Sequence, residues 1–254
     1  MKATQRLHEL GQSLWLDNIT RGILNDGTLQ RYIGEWSVTG LTSNPTIFNH
    51  AFKSGNSYDE AIRRKATEGS AGEDLFFELA IADLTRAADL LRPIHDQTGG
   101  MDGWVSLEVS PLLANDTAAT IQAAADLHGQ AQCPNLLIKI PGTAEGLPAI
   151  EASIFAGVAV NVTLLFSAAQ YVAAAEAYMR GIERRIAVGL DPRIGSVASL
   201  FVSRWDGRCT TRCRRRSGIA SASRSPGAHT GSTAACWHRH GGVRSPPPAR
   251  NRNG

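Results

Sequence analysis

Short apolar runs alternate with longer stretches of helical period through the first 206 residues. Six runs read as strands: SLWLD (13–17), WSVTGLTSN (36–44), GWVSLEVS (103–110), NLLIKIP (135–141), AGVAVNVTLLFS (156–167) and GSVASLFVS (195–203). Between them lie helical patterns. Residues 73–95 place Leu75, Leu79, Ala82 and Leu90 on a helical period. Residues 116–130 open with Asp116 and 167–186 with Ser167, residue types suited to capping a helix N-terminus.

Near-continuous apolar strands alternating with helices predict a parallel sheet covered by helices. The later strands recur about every 25–35 residues, the length of a βα unit. Two architectures meet that pattern, an open doubly wound sheet and a (β/α)8 barrel. No G-x-G-x-x-G and no G-x-x-x-x-G-K-[ST] follows the first strands, which weakens the nucleotide-binding open sheet. Polar residues gather instead near the C-terminal ends of several strands, where a barrel builds its active site. The expected fold is therefore a (β/α)8 TIM-type barrel with about six of its eight units present.

The pattern stops at Asp206. Residues 207–254 hold no acid, no Leu and no Phe, and are dominated by Arg, Ser, Gly, Pro and Ala. All 23 acidic residues lie in 1–206, whereas 10 of the 26 Lys and Arg lie beyond it, every one an Arg. The overall charge of +3 thus averages an acidic body with a strongly basic tail. The sequence divides into a partial barrel, 1–206, and a tail, 207–254, expected to be disordered because it cannot bury enough apolar surface to offset ordering entropy. So abrupt a loss of pattern points to a shifted reading frame near residue 206 rather than to a functional basic arm. A nucleic-acid-binding or inert product dominated by that tail is the alternative from another class. Arg214, Arg215 and Arg216 offer phosphate charge without an aromatic platform beyond Trp237, so no specific nucleic acid is expected. Cys209, Cys213, Cys236, His238 and His240 match no common zinc spacing, so no metal is expected. No apolar run approaches a membrane span, MKATQRLHEL lacks a signal-peptide core, and the body holds the single Cys133; these point to the cytoplasm.

The chemistry begins with Lys139. The body contains four lysines, Lys2, Lys53, Lys65 and Lys139, and the last sits inside Leu136-Leu137-Ile138-Lys139-Ile140-Pro141. Burial in such a run disfavours the ammonium, and a neutral amine is a nucleophile toward ketones. The bland alternative is a lysine paired with a buried carboxylate, or one snorkelling at a strand end. Other strands carry polar residues at the parity of one face: Thr42 and Asn44, Ser106 and Glu108, Asn161 and Thr163, and Ser199. Asp17 ends the first strand in the same way. Singly, Asn44 and Asp17 read as helix caps and Glu108 as a salt-bridge partner. Together, two carboxylates and one amine in a shared polar centre suit proton transfer around an imine.

Three segments add a resemblance. Gly40-Leu41-Thr42-Ser43-Asn44-Pro45-Thr46-Ile47 resembles the Thr-Ser/Thr-Asn-Pro signature of transaldolases. Residues Leu136 to Leu147 resemble the Schiff-base lysine segment of that family, and Asn161-Val162-Thr163-Leu164-Leu165-Phe166-Ser167 its fifth-strand motif. The resemblance covers about residues 10–206. It implies a (β/α)8 barrel of the non-oxidative pentose phosphate pathway that moves a dihydroxyacetone unit between sugar phosphates. The reaction is sedoheptulose 7-phosphate plus glyceraldehyde 3-phosphate to erythrose 4-phosphate plus fructose 6-phosphate. It implies no metal and no cofactor, the protonated imine being the electron sink. It assigns Lys139 the imine, Asp17 the proton of the C4 hydroxyl, and Glu108 with Thr163 and Ser199 a proton-shuttling water. Asn44 and Asn161 would bond the dihydroxyacetone hydroxyls beside Thr42, and Arg204 the phosphate. A Schiff-base aldolase that cleaves without transfer shares the same lysine chemistry. Nothing in 207–254 matches a seventh or eighth unit, and little turnover is expected of a barrel left open.

Overall fold

The structure, a computed structural model, describes residues 1–202 and the backbone of Thr233–Cys236. Arg204 and the rest of the tail lie outside the described residues. A short helix, α1 (Ala3–Glu9), precedes β1 (Leu14–Leu16). Helices α2 (Arg21–Asn25) and α3 (Thr28–Trp36) lead to β2 (Val38–Thr42). Three helices, α4 (Pro45–Lys53), α5 (Asp59–Thr67) and α6 (Gly72–Gln97), then cross to β3 (Val105–Glu108). The chain continues through α7 (Thr117–Ala131), β4 (Leu136–Pro141), α8 (Gly146–Ala156), β5 (Val160–Leu165), α9 (Ala168–Ala187) and β6 (Ser196–Leu200). These six strands are parallel and neighbour one another in chain order. A seventh, β7 (Thr233–Cys236), pairs antiparallel with β6, inside a tail whose composition predicts no strand.

Every expected strand is present but shorter than its apolar run, and at β2 and β5 helix ends and caps take the flanks. Trp36 closes α3, and Ser37 caps it in a left-handed conformation (φ 53°), its N–H donating to Tyr32 O. At the other end of β2, Asn44 caps α4, with Pro45 at the first helical position, where its missing N–H is harmless. Ala156 closes α8 with Gly157 at φ 93°, a value that favours glycine. Asp116 and Ser167 cap as expected, accepting from the N–H groups of Ala119 and Gln170.

The sheet curls into an incomplete (β/α)8 barrel. Alternate residues of each strand belong to different cores, as a period of two requires. Val105, Leu107, Leu136, Ile138, Ile140, Val160, Val162 and Ala198 join one large cluster with the helices. Trp104, Leu137, Ala159 and Val197 form a second, smaller cluster on the inner face, with Trp15 packed against it. Curvature is also written in the hydrogen bonds. On a flat sheet, β3 and β5 would stand about 9.6 Å apart, two strand spacings. Yet Asn161 Nδ2 on β5 donates to Ser106 Oγ on β3 at 3.1 Å, across β4. The inner wall needs small residues where the indoles lie. A Cβ at Gly40 would fall 2.5 Å from Trp15, and one at Gly195 the same distance from Trp104.

Candidate active site

Above the apolar inner cluster, toward the C-terminal ends of the strands, the inner face turns polar. Lys139 is central and buried, with 6% of its surface exposed. Its Nζ donates to the Ser43 carbonyl at 2.9 Å and lies 3.2 Å from Glu108 Oε2. Glu108 and Lys139 are register partners on β3 and β4, and Lys139 and Asn161 on β4 and β5. The amine is therefore not isolated in an apolar strand, as its flanks suggest. It is buried and paired with a carboxylate, as the salt-bridge alternative describes.

Asn161, 1% exposed, joins three strands. Its Nδ2 donates to Ser106 Oγ, and its Oδ1 accepts from Ser199 Oγ at 3.0 Å. Ser106 in turn offers its carbonyl to the Ser43 hydroxyl at 2.7 Å. A continuous line of bonds thus runs from the end of β2 to β6, around the strand that carries Lys139. Thr163, 1% exposed, stands opposite Pro141 in the β4–β5 register. The β5–β6 register shifts between Val162 and Leu165, and Leu164 there adopts φ 59°. Such a bulge re-aims side chains at a strand end.

The remaining expected residues are less tightly gathered. Thr42 is half-buried, opposite Ser106. Asn44 is half-buried, and its Oδ1 accepts from Ile47 N–H at 3.0 Å, so it is a helix cap whatever else it does. Asp17 follows β1 at the same end of the sheet and is exposed. Arg204 lies outside the described residues. Ser43 is the residue that parity arguments pass over. It alternates with Thr42 and Asn44, so its side chain counts as outward; the group that reaches Lys139 is its main-chain carbonyl, which no side-chain pattern reports.

Two features at the other end of the strands do not belong to this centre. A cavity of about 810 Å³ opens among Trp104, His95, Tyr178 and Pro192, below the inner indole layer. Burial raises the Asp102 carboxyl above the ordinary carboxylate range, against the opposing hydrogen bond from Ser13. Among the described residues no cluster of three or more His, Cys, Asp or Glu is placed to hold a metal, and no helix is long and apolar enough to cross a membrane.

The sequence model of the transaldolase/fructose-6-phosphate aldolase family matches residues 14–230. This chain belongs to the transaldolase/fructose-6-phosphate aldolase family. It is 47% identical over 204 residues to a transaldolase of Arthrobacter sp. (strain FB24), a match covering 80% of this chain and 55% of that protein. It is 46% identical over 207 residues to a transaldolase of Thiobacillus denitrificans, covering 81% and 58%. A match to transaldolase 2 of Nostoc punctiforme is 44% identical over 201 residues, covering 79% and 53%. The chain thus spans about half the length of the curated relatives it matches. The buried Lys139 and its ring of hydroxyl, amide and carboxylate groups fall within the part that carries the transaldolase/aldolase family match.

Proposed function

We propose that residues 1–206 carry the lysine chemistry of a transaldolase, and that the whole protein transfers a dihydroxyacetone unit between ketose and aldose phosphates. The observation that supports it most is a buried amine held between a carboxylate and a carbonyl at the C-terminal end of a barrel strand. In this reading the Lys139 ammonium passes a proton to the water beside Glu108, the amine so freed attacks C2 of a ketose phosphate, and that proton returns to the departing hydroxyl as the carbinolamine loses water to give the protonated imine. Asp17 takes the proton of the C4 hydroxyl as the C3–C4 bond breaks. The electron pair of that bond enters the imine, leaving an enamine, and the aldose phosphate departs. An acceptor aldehyde adds at C3, and hydrolysis returns the amine. A water shared by Glu108, Thr163 and Ser199 carries protons during imine formation and hydrolysis, and Asn44 and Asn161 bond the dihydroxyacetone hydroxyls beside Thr42. Arg204 is assigned the substrate phosphate, for which its planar bidentate donors are suited. The electron sink is the imine itself, and no cofactor is invoked. The donor and acceptor pairs are sedoheptulose 7-phosphate with glyceraldehyde 3-phosphate, and fructose 6-phosphate with erythrose 4-phosphate. The proposed setting is the cytoplasm.

Borohydride trapping tests this directly. Fructose 6-phosphate with borohydride should leave a dihydroxyacetone-derived adduct on Lys139. Lys139→Ala should lose it, and Lys139→Arg should lose it too, because a guanidinium keeps the charge but forms no imine. Labelling confined to Lys2, Lys53 or Lys65 would sink the mechanism. Release of aldehyde without any transfer to an added acceptor would favour an aldolase over a transferase.

A further inference from the structure

We propose that Ser43 is a positioning residue for Lys139: its hydroxyl fixes the end of β2 to β3, and its carbonyl thereby aims the lysine amine. The proposal rests on the imine reading of the site and deepens it.

The local geometry makes the Ser43 hydroxyl a strut. The regular backbone ladder between these strands includes Leu41 N–H donating to Trp104 O at 2.9 Å. Strand β2 ends at Thr42, and the chain turns at once into the Asn44 cap of α4. Two residues beyond the Leu41 rung, the Ser43 Oγ donates to Ser106 O at 2.7 Å. A side chain has thus taken the place of the next rung at the point where the backbone leaves the sheet. Ser43 is fully buried, so no solvent replaces that bond if it is removed.

What the strut holds is the Ser43 carbonyl, 2.9 Å from Lys139 Nζ. Once the ammonium has passed a proton to water, the attacking amine has two N–H bonds and one lone pair in a tetrahedral arrangement. Ser43 O and Glu108 Oε2 are two acceptors within reach of Nζ. With both N–H bonds directed at them, the lone pair is left in the one remaining tetrahedral direction. Attack on a carbonyl carbon needs that alignment, and orientation of reacting groups is a large part of what a site contributes to rate. If the Ser43 carbonyl swings, one N–H is released and the lone pair loses its fixed direction, while the ketone's own contacts are untouched.

The test uses the full chain with dihydroxyacetone and cyanoborohydride, mapping adducts by peptide mass. Exposed Lys53 in the same molecule is the internal standard. Ser43→Ala should lower the maximal rate of adduct formation at Lys139 by about ten-fold, with the half-saturating ketone concentration and the Lys53 rate unchanged. Ser43→Thr, which keeps the hydroxyl, should retain the wild-type rate. Ser43→Cys, nearly isosteric but a weak donor, should fall between them; it replaces Ser43→Ala in the comparison if that variant lacks the wild-type circular dichroism. A wild-type rate in Ser43→Ala overturns the proposal, and so does a Ser43→Thr as slow as Ser43→Ala. A wild-type chain in which Lys139 reacts no faster than Lys53 overturns the imine reading and this inference with it. Fast labelling in both wild type and Ser43→Ala removes this inference alone.

Discussion

Glu108 and Lys139 are register partners on neighbouring parallel strands, and their side chains close to 3.2 Å inside the barrel, 15% and 7% exposed. Removing one member of a buried pair is worse than removing both, because the survivor keeps its desolvation without its partner. Glu108→Ala should therefore destabilise the fold by about 3 kcal/mol. Glu108→Ala combined with Lys139→Met should recover most of the loss. Urea unfolding of the two variants beside wild type measures it. A single variant as stable as wild type would mean that the pair is looser than 3.2 Å describes.

Asn44 caps a helix and is proposed to bind substrate, and substitutions can separate the two. Its Oδ1 caps α4 through Ile47 N–H, and its Nδ2 is the donor assigned to substrate. Asn44→Asp keeps the capping oxygen and removes the donor, so the melting temperature should hold while adduct formation at Lys139 falls. Asn44→Ala should lose both, with about 1 kcal/mol of stability gone with the cap. Equal melting temperatures for the Ala and Asp variants would argue that the cap contributes nothing.

Tyr58 should govern the alkaline limb of stability. Its hydroxyl donates to Asp83 Oδ2 at 2.7 Å and accepts from Arg21 N–H at 2.8 Å. Burial, then the bond to the Asp83 carboxylate, raise the phenol above its ordinary value of 10.0. The unfolded chain ionises there and the folded one resists, so this contribution is intact below pH 10.0 and is lost as pH climbs toward the higher folded value. Tyr58→Phe should be less stable at neutral pH by about 1–3 kcal/mol and should decline less steeply above pH 10. Parallel declines in the two proteins would remove Tyr58 as the cause.

Gly40→Ala tests the inner wall. The added Cβ would lie 2.5 Å from Cε2 of Trp15, closer than any relaxed contact. Overpacking should lower stability by about 1–3 kcal/mol, and a second change, Trp15→Leu, should relieve part of it. The comparison is a thermal melt of single and double variants. An unperturbed single variant would show that β1 yields freely.

The strands were legible because each is apolar on both faces, the signature of a sheet covered by helices outside and by its own interior inside. The parity rule also found Ser106, Glu108, Asn161 and Ser199, which the structure gathers on the inner face. It could not foresee their pairings. Curvature decides that Asn161 reaches Ser106 across an intervening strand, and curvature is a property of the whole sheet rather than of any segment. Strand ends were overextended because Trp36 and Ala156 are as apolar as strand residues, while the helix-ending signals at Ser37 and Gly157 are single positions. Ser43 escaped for a different reason: it acts through a carbonyl, and every residue has one.

The indole layer beneath Lys139 makes the protein its own optical probe. Trp104 is 5% exposed and packs on Leu137, which lies two residues before Lys139 on the same inner face of β4. Indole emission follows the polarity and rigidity of its surroundings. A ketone carbon attached at Lys139 should therefore register as a change in blue-shifted fluorescence that exposed Trp36 does not share, giving the occupancy of the barrel without label, coupling enzyme or turnover.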